Sequence, residues 1–568
     1  MEIIKKIVQL EHKRWIIGSS LIALFLLLPI IFLFSNIFEI EQTAFVYLWK
    51  NLLLDYSFNT FYLIAITSFF ALLFGILPAW YVSNYKFKFR VFYDIALFLP
   101  LAIPTYIMAF TYSDLLSYTG PLQSFLRNNY PDFSSIFNKD YLQIEILGII
   151  LGLALYPYVY TASRVSFSLI GSTYINMSKN LGLSSTKLFF KVIIPLSKPA
   201  IFSGLFLVVM EVLNEYGAVK YFGVNTYTTG IFRAWFSMGN ENTAIQLACL
   251  LIFLVFTILF IEKLSYKKSR FYYSANSKIE KLSTPSANKY IYIYGLCSLP
   301  FILGFLIPFF YILNNSIINI KNIDFSRLLE LSLNSIQVST ISTVLIIITA
   351  LLFLYVEKIS KLKFNTFISQ VTSLGYVIPG AVIGLGVILL FTSDFYYQSA
   401  EYLQLILLSI GKTFGVEDLV REIVDNMSNS FSLVGSFYIL IYAYVFRFLA
   451  VGKSPIKSSL EKQPDSYDDT AKTLGLGPFR ILQKIHFPIN RLALITAFIV
   501  TFVDLLKELP ITLILRPFNF DTLATQTYEF AIEEMMVESS SYSLAIILIG
   551  SVMLVFLKYI INKQIDAS

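Results

Sequence analysis

Long apolar stretches separated by short polar segments dominate the chain. A helix needs roughly 20 apolar residues to cross the hydrocarbon core of a bilayer, and stretches of that length recur along the whole sequence. The ninth stretch is interrupted by Pro379, Gly380, Gly384 and Gly386. Such breaks are tolerated in a membrane-spanning helix where neighbouring groups satisfy the backbone. The pattern predicts about twelve spans, centred near Leu27, Phe70, Ala102, Leu153, Val208, Leu254, Ile302, Ile346, Ile383, Ile441, Ile499 and Leu548.

Composition supports a protein that lives in the membrane. Of the 568 residues, 56% are hydrophobic and 14% are charged, whereas soluble domains carry about 25% charged residues. The first apolar run is too long for a signal peptide and lacks a small-residue cleavage site, so it is interpreted as a retained span. Two cysteines and two histidines far apart in sequence predict neither a disulfide framework nor a metal site. The fold class expected is therefore an all-α, polytopic membrane protein.

The net charge of +7 has two possible meanings, nucleic-acid binding or membrane topology. If the N-terminus is cytoplasmic, 32 of the 43 Lys and Arg residues fall in segments on the cytoplasmic side. Cytoplasmic loops of membrane proteins carry such an excess of basic residues. The charge thus predicts that both termini are cytoplasmic, and it argues against a nucleic-acid partner.

An internal repeat organises the chain. Residues 177–195 and 470–488 share six identities in nineteen positions, with Gly182 falling on Gly475, an offset of 293. Earlier, Asn59 matches Asn334 and Pro104 matches Pro379 at an offset of 275. Six predicted spans separate the two glycines, so both loops lie on the same face, and the halves are a parallel duplication.

Each repeated loop has the pattern helix, glycine, short helix, proline. Gly182 suits the left-handed position that ends a helix, and Ser184 can cap the helix that follows. In the second copy Gly477 and Pro478 occupy that place, and proline is favoured at a first helical position. The polar residues of these short helices, with one apolar contact at Phe190, predict that each helix lies in a groove of a partner; the alternative is a loop that only reconnects two spans.

The loops resemble the cytoplasmic coupling loops of ATP-binding-cassette (ABC) importer permeases, which keep the glycine and the apolar-proline ending. Both copies depart from that family's Glu-Ala-Ala opening, with Asn176-Met177-Ser178 and Asp469-Thr470-Ala471. The phrases YPYVYTASRVSF (156–167), TYTTGIFRAWFSMG (226–239) and ELPITLILRPFNFDTLATQTYEFA (508–531) resemble the fused two-copy permeases of ferric-iron importers. Permeases for thiamine, polyamines, sulfate or phosphonates share the architecture.

The resemblance implies the type I importer fold, with two parallel six-span halves in a bacterial inner membrane. It also implies a separate cytoplasmic ABC ATPase, in two copies, and a periplasmic substrate-binding protein. The domains expected are an N-terminal cytoplasmic segment and first span (1–56), a first permease repeat (57–265), a cytoplasmic linker (266–290), a seventh span and outer loop (291–331) and a second permease repeat (332–562). The residues expected to couple to the ATPase are Lys179, Gly182, Lys187, Lys191, Pro195, Lys472, Gly475, Arg480, Lys484 and Pro488.

The chain itself is not expected to be an enzyme or to hold a cofactor. Gly452-Lys453-Ser454 imitates the end of a phosphate-binding loop, but the first glycine of that motif would fall on Arg447 and a proline follows directly. A secondary transporter driven by an ion gradient would explain twelve spans, although it would not explain the duplicated loops. A membrane-embedded enzyme is a more distant alternative.

Two matching sets of polar residues interrupt the fifth and eleventh spans. Their spacing of three and four predicts that each set shares one helix face, and a charge at the bilayer centre costs at least ~2.5–3.5 kcal/mol. One hypothesis is that these faces line the central pathway or its gate, where acidic oxygens would suit a hard cation such as Fe³⁺. The alternative is an Asp504–Lys507 or inter-helix pair that only locks the bundle. The residues are Glu211, Asn214, Glu215, Asp504, Lys507 and Glu508.

The outer stretches 221–240 and 516–540 are expected to meet whatever delivers the substrate. Several glutamates make the second stretch acidic, and an ordinary solvated surface is the alternative explanation. They are Glu529, Glu533, Glu534 and Glu538.

Overall fold

The structure is a computed structural model, and it describes most of the chain. The described residues are 2–38, 42–132, 139–170, 177–178, 180–267, 283–360, 362–414, 433–464 and 466–567. Lys179, much of the predicted linker 266–290 and part of the first loop opening lie outside them. Within the described part the secondary structure is helical, with one isolated bridge between Tyr85 and Ser283. The predicted all-α, polytopic fold is confirmed.

Twelve α-helices belong to the described residues of the first half of the chain. They are α1 (Glu2–Ser35), α2 (Gln42–Asn51), α3 (Leu53–Asn84), α4 (Arg90–Ala96), α5 (Thr105–Leu116), α6 (Pro121–Asn129), α7 (Ile144–Leu169), α8 (Ser185–Leu188), α9 (Ile194–Asn214), α10 (Gly217–Tyr221), α11 (Tyr227–Phe232) and α12 (Glu241–Lys267). Short 3₁₀ turns occupy Asn36–Phe38 and Leu99–Ala102, and π-helical turns occupy Phe189–Ile193 and Arg233–Ser237.

Fourteen α-helices follow in the described residues of the second half. They are α13 (Ala287–Phe301), α14 (Ile307–Ile318), α15 (Phe325–Ser360), α16 (Lys363–Thr372), α17 (Gly380–Thr392), α18 (Asp394–Phe414), α19 (Phe437–Leu460), α20 (Ser466–Thr473), α21 (Pro478–Ile481), α22 (Phe487–Ile489), α23 (Arg491–Leu506), α24 (Pro510–Leu515), α25 (Leu523–Ile532) and α26 (Met536–Ala567). The π-helical turns are Ile302–Leu306 and Leu482–His486, and the 3₁₀ turns are Asn319–Lys321 and Ser373–Tyr376.

In the described part of the chain, nine helices are long and apolar enough to cross a membrane, and up to twelve spans result if each of three bent helix pairs counts as one. All twelve predicted centres fall within these spans or bent pairs. Two of the bends, of 90° and 109°, lie at Pro104 and Pro379. The backbone angles of these prolines are nearly the same (φ −54°, ψ 144° and φ −56°, ψ 142°). The repeat therefore extends to the way in which the third and ninth spans are broken.

The chain divides into two compact units, each built from both ends of the sequence. One unit comprises residues 1–42, 240–249 and 333–522. Within it α1 packs along α17, so closely that a Cβ atom added at Gly386 would lie 2.6 Å from the carbonyl oxygen of Pro29. The first helix of the chain thus packs on the second repeat.

The other unit comprises residues 43–239, 250–332 and 523–568. Its centre is the long contact between α3 and α7, and α26 packs against α14 and α25. A Cβ atom added at Gly304, in the π-helical turn after α13, would lie 2.9 Å from the carbonyl oxygen of Leu153 in α7. Here the first span of the second half packs on the first repeat, as α1 packs on the second.

Candidate functional site: duplicated loops and buried glutamates

The glycines of the two loops have the conformation that their sequence predicts. Gly182 has φ +75° and Gly475 has φ +79°, both in the left-handed region. The residue after each glycine donates its N–H five residues back, from Leu183 to Ser178 and from Leu476 to Ala471, at 3.1 Å in both loops. This is the Schellman helix ending, so the predicted left-handed helix ending at Gly182 is confirmed and Gly475 shares it.

The short helix after each glycine begins differently but continues alike. The Ser184 hydroxyl accepts the N–H of Lys187 at 3.4 Å, whereas Pro478 occupies the first helical position after Gly477. Each short helix then widens into a π-helical turn, Phe189–Ile193 or Leu482–His486, at positions related by the same offset of 293. Hydrophobic periodicity did not predict these turns, because one extra residue in a helical turn leaves no composition signal.

Most of the predicted coupling residues are on the surface of the loops. Leu181 and Leu474, which are equivalent, are 80% and 76% exposed, so each loop also presents an apolar side chain beside its glycine. The structure leaves these charged and apolar groups accessible to a partner. The exposed predicted residues are Gly182, Lys187, Lys191, Pro195, Lys472, Gly475, Arg480, Lys484 and Pro488.

A polar network that the sequence pattern did not predict ties the second loop to its unit. His486 is fully buried, with Nε2 2.7 Å from Asp468 Oδ1 and Nδ1 3.2 Å from Gln463 Oε1. Lys358, at the end of α15, places Nζ 3.3 Å from the other oxygen of Asp468. Oxygen atoms of Asp468 and Gln463 thus lie within hydrogen-bond distance of both ring nitrogens. Tyr355 of α15 adds a hydrogen bond to the carbonyl of Pro478 at 2.6 Å.

The equivalent region of the first loop is apolar. Ile193 stands where the second copy has His486, and Trp80 stands where it has Tyr355. The Trp80 ring packs against Phe167 and Phe189, with centroids 5.8 and 5.2 Å apart. Hydrophobic burial therefore holds one loop and a charged network holds the other. The sequence signal for the network was a histidine, His486, at a position where the first repeat has Ile193.

The Asp468 network predicts different outcomes for two neighbouring carboxylates. Asp468→Asn breaks a buried charge pair, which costs roughly 3 kcal/mol, or about a hundredfold in the opening of α20. Asp469→Asn is the matched control, because Asp469 is exposed and its oxygen is 3.9 Å from Lys472 Nζ, a pair worth at most ~1 kcal/mol. Backbone hydrogen exchange over residues 466–473 measures both. Equal exchange in the two variants would contradict the role given to the network.

The same network has a pH dependence with a defined sign. Burial raises the pKa of the Asp468 carboxyl, but the hydrogen bond and charge of His486 and the charge of Lys358 outweigh it, so the net pKa is lowered. A carboxyl whose pKa is lowered in the folded state stabilises that state at pH values above its unfolded-state pKa. The stabilisation is lost as pH falls through the folded-state pKa. In hydrogen exchange, α20 is therefore expected to open in acid in the wild type, and Asp468→Asn is expected to remove this dependence.

Glu215 lies at a junction of four helices in its unit. It follows the last residue of α9 in an extended conformation, with φ −66° and ψ 123°. One carboxylate oxygen accepts the backbone N–H of Ala218, in α10, at 2.9 Å, and the other accepts a short hydrogen bond from the hydroxyl of Thr105, the first residue of α5. The Glu215 carbonyl accepts the hydroxyl of Thr228 at 2.9 Å. Glu215 thus connects the helix break at Pro104 with α10 and α11.

Glu508 has the equivalent place in the other unit. It follows α23, and its Oε1 accepts the N–H of Ile511, in α24, at 3.2 Å. This bond reproduces the one from Ala218 to Glu215, since 218 and 511 are related by the offset of 293. The other oxygen lies 3.6 Å from Nε of Arg447, a side chain that is 2% exposed.

The prediction that each polar set shares one continuous helix face is wrong. The helices end at Asn214 and Leu506, so Glu215 and Glu508 lie beyond them. The physical reason is that each carboxylate bonds the first turn of the next short helix, which requires the chain to turn there. Glu211 and Asn214 do lie in α9, and Asp504 in α23 forms a 2.9 Å ion pair with Lys507. That pair is the one named in the alternative interpretation.

A cavity of about 560 Å³ opens at the end of α7 opposite the first loop. Acidic and phenolic side chains line much of it, including Asp114, Asp140, Glu534 and Tyr221. The hydroxyl of Tyr311 donates to Asp114 at 2.7 Å. Among the described residues there is no group of three or more His, Cys, Asp or Glu side chains placed to hold a metal ion. We call this cavity the acidic vestibule.

In the part of the chain that the structure describes, up to twelve spans, two related halves and a duplicated surface loop define a multi-pass α-helical membrane protein. Residues 71–261 match the family of binding-protein-dependent transport system inner membrane components. This match and the duplicated loops support a type I ABC importer permease.

Similar proteins cover the chain to different extents. The Fe(3+)-transport system permease protein FbpB 2 of Haemophilus influenzae is 24% identical over 95% of this chain and 96% of its own length. The sulfate transport system permease protein CysT of Salmonella typhimurium is 27% identical over 37% of this chain and 74% of its own. The molybdate/tungstate transport system permease protein WtpB of Methanocaldococcus jannaschii is 27% identical over 35% of this chain and 74% of its own.

Proposed function

We propose that this chain forms the membrane pathway of a ferric-iron importer. The observation that carries the proposal is the similarity to a ferric-iron permease along nearly the full length of both chains. The sulfate and molybdate/tungstate permeases match about a third of this chain. They support the transporter class, and they make sulfate or molybdate the second candidate cargo.

The chemistry of the described polar sites favours a cation over an oxyanion. Glu215 and Glu508 are buried at equivalent breaks in the two halves, and the vestibule carries Asp114, Asp140 and Glu534. Carboxylate and phenol oxygens are hard ligands that suit Fe³⁺, whereas the negatively charged carboxylates would repel sulfate. In this proposal Glu211, Asn214, Glu215, Asp504, Lys507 and Glu508 contribute to the pathway or its gate.

In this proposal a partner supplies the energy. Two copies of a cytoplasmic ABC ATPase bind the exposed loops around Gly182 and Gly475, and a periplasmic substrate-binding protein delivers cargo at the opposite face. The basic residues of both loops support a cytoplasmic position, because such residues concentrate on that side. The N- and C-termini are then cytoplasmic as well.

The test is uptake of radioactive ferric iron by cells with and without the chain, beside sulfate, molybdate, thiamine and a polyamine. We expect the chain to raise iron uptake at least tenfold and to leave the other four unchanged. A gradient dissipator added while ATP is maintained should leave uptake intact. Uptake of sulfate or molybdate in place of iron would overturn the cargo proposal and leave the permease assignment standing.

A further inference from the structure

The two equivalent glutamates are held by different chemistry. In the second half, the Arg447 guanidinium lies between Glu508 Oε2, 3.6 Å from Nε, and the carbonyl of Ile378, 3.2 Å from Nη1. Ile378 immediately precedes Pro379, so this carbonyl is one that the helix break at Pro379 leaves to be satisfied from outside the helix. One buried side chain therefore serves both the glutamate and the broken span.

In the first half, the offset of 293 places Ala154 where the second half has Arg447. The offset of 275 places Thr105 where the second half has Gly380. The Thr105 hydroxyl donates to Glu215, so a side chain at the helix break does the bonding that Arg447 does from α19. At these two equivalent positions the first half has Thr105 and Ala154, and the second half has Gly380 and Arg447.

The two solutions crowd each other sterically. A Cβ atom added at Gly380 would lie 3.0 Å from Arg447 Nη1 and 3.0 Å from Glu508 Oε1. Such separations are tighter than normal Cβ contacts, and a threonine would add two further atoms. Gly380 therefore leaves room for the guanidinium, and a side chain at 380 would have to displace Arg447, Glu508 and Ile511 by a few tenths of an ångström.

We infer that Arg447 is the positioning residue and buried counter-ion of Glu508, and that Gly380 and Arg447 act as a linked pair replacing the Thr105–Ala154 pair of the first half. The inference rests on the proposed function only in taking Glu508 to matter for transport. Because a guanidinium stays charged in proteins, the pair fixes a carboxylate with a permanent positive neighbour in the second half. In the first half the corresponding donor is a neutral hydroxyl.

The first experiment introduces the threonine and alanine of the first half at positions 380 and 447 of the second half. Arg447→Ala, Gly380→Thr and the double variant are reconstituted in vesicles with the ATPase partner, and ATP-driven uptake of ferric citrate is measured per folded chain. Each single variant should lose at least tenfold, since one leaves Glu508 without its counter-ion and the other crowds it. The double variant should recover to within about threefold of wild type, because the threonine introduced at position 380 can donate as Thr105 does. Arg447→Lys, with charge but no forked donor, should fall between.

The second experiment needs no cargo. A hydrophobic carbodiimide modifies protonated buried carboxyls, and peptide mass spectrometry reports the extent at Glu508, with Glu215 as internal reference. Modification of Glu508 should rise at least tenfold in Arg447→Ala and stay at the wild-type level in Arg447→Lys. An unchanged Glu508 in Arg447→Ala would overturn the counter-ion role.

The outcomes separate this inference from the proposed function. If Glu508→Gln lowers uptake but the double variant is no better than Arg447→Ala, the linked pair is refuted and the pathway role of Glu508 stands. If Glu508→Gln transports ferric citrate normally, the pathway role fails, and the carbodiimide result alone decides whether Arg447 is the counter-ion.

Discussion

Valine at Gly182 and Gly475 together is expected to abolish ATP-driven transport while the chain remains in the membrane. Both glycines have φ near +75°, where a left-handed residue other than glycine costs about 1–2 kcal/mol and a β-branched one is a strong outlier. Nothing lies within 4 Å of a Cβ atom added at either position. The effect therefore comes from the backbone, which must abandon the turn that aims α8 and α21.

The measurement is co-purification of the ATPase subunit together with ATP-driven uptake, with each variant normalised to folded chain. Each single valine variant should weaken the association by at least tenfold without abolishing it, because the unmutated loop keeps its turn. Gly477→Ala is the matched control in the same loop, because Gly477 has φ −73° and equally free space around its Cβ position. Wild-type association in the double valine variant would show that the turns do not position the loops for the ATPase.

The spans and loop turns were predictable because each rests on local chemistry. Apolar length fixes a span, Pro379 marks the break in the ninth, and glycine marks the left-handed turn at 182 and 475. The packing of α1 on the second repeat was not predictable, since it depends on contacts between segments more than 300 residues apart. One such contact is the approach of Pro29 to Gly386. Apolar helices of similar composition give no sequence signal of which neighbour they choose.

The glutamates show where a periodicity argument stops. Their spacing from Glu211 and Asp504 placed them on helix faces, and the structure ends both helices before them. Pro510 was a usable signal, because proline favours the first position of a new helix. The linked positions 380 and 447 were not recognisable, since in sequence Gly380 stands beside a helix-breaking proline and Arg447 lies 67 residues further on in another span. Their pairing depends on two spans meeting at a break.

Glutamine at position 215 is expected to lower uptake at least tenfold with the amount of folded chain nearly unchanged. The amide oxygen of glutamine still accepts one hydrogen bond from Thr105 or Ala218, so the junction keeps part of its bonding. What is removed is the negative charge, and with it the attraction for a cation in the pathway. Uptake of ferric citrate in vesicles, per folded chain, measures the loss.

Glutamine at position 508 is expected to lower uptake as well and, in contrast, to lower stability. Removing one partner of a buried pair leaves the Arg447 guanidinium without its anion, which costs roughly 3–5 kcal/mol. Thermal unfolding in detergent should therefore separate Glu508→Gln from Glu215→Gln, while transport should not. Asp504→Asn is the control for the alternative of a bundle lock, because it breaks the 2.9 Å pair with Lys507 and leaves both glutamates in place. Normal uptake by Glu215→Gln, with losses in the other two that follow folded protein alone, would mean that these residues hold the bundle together and do not line the pathway.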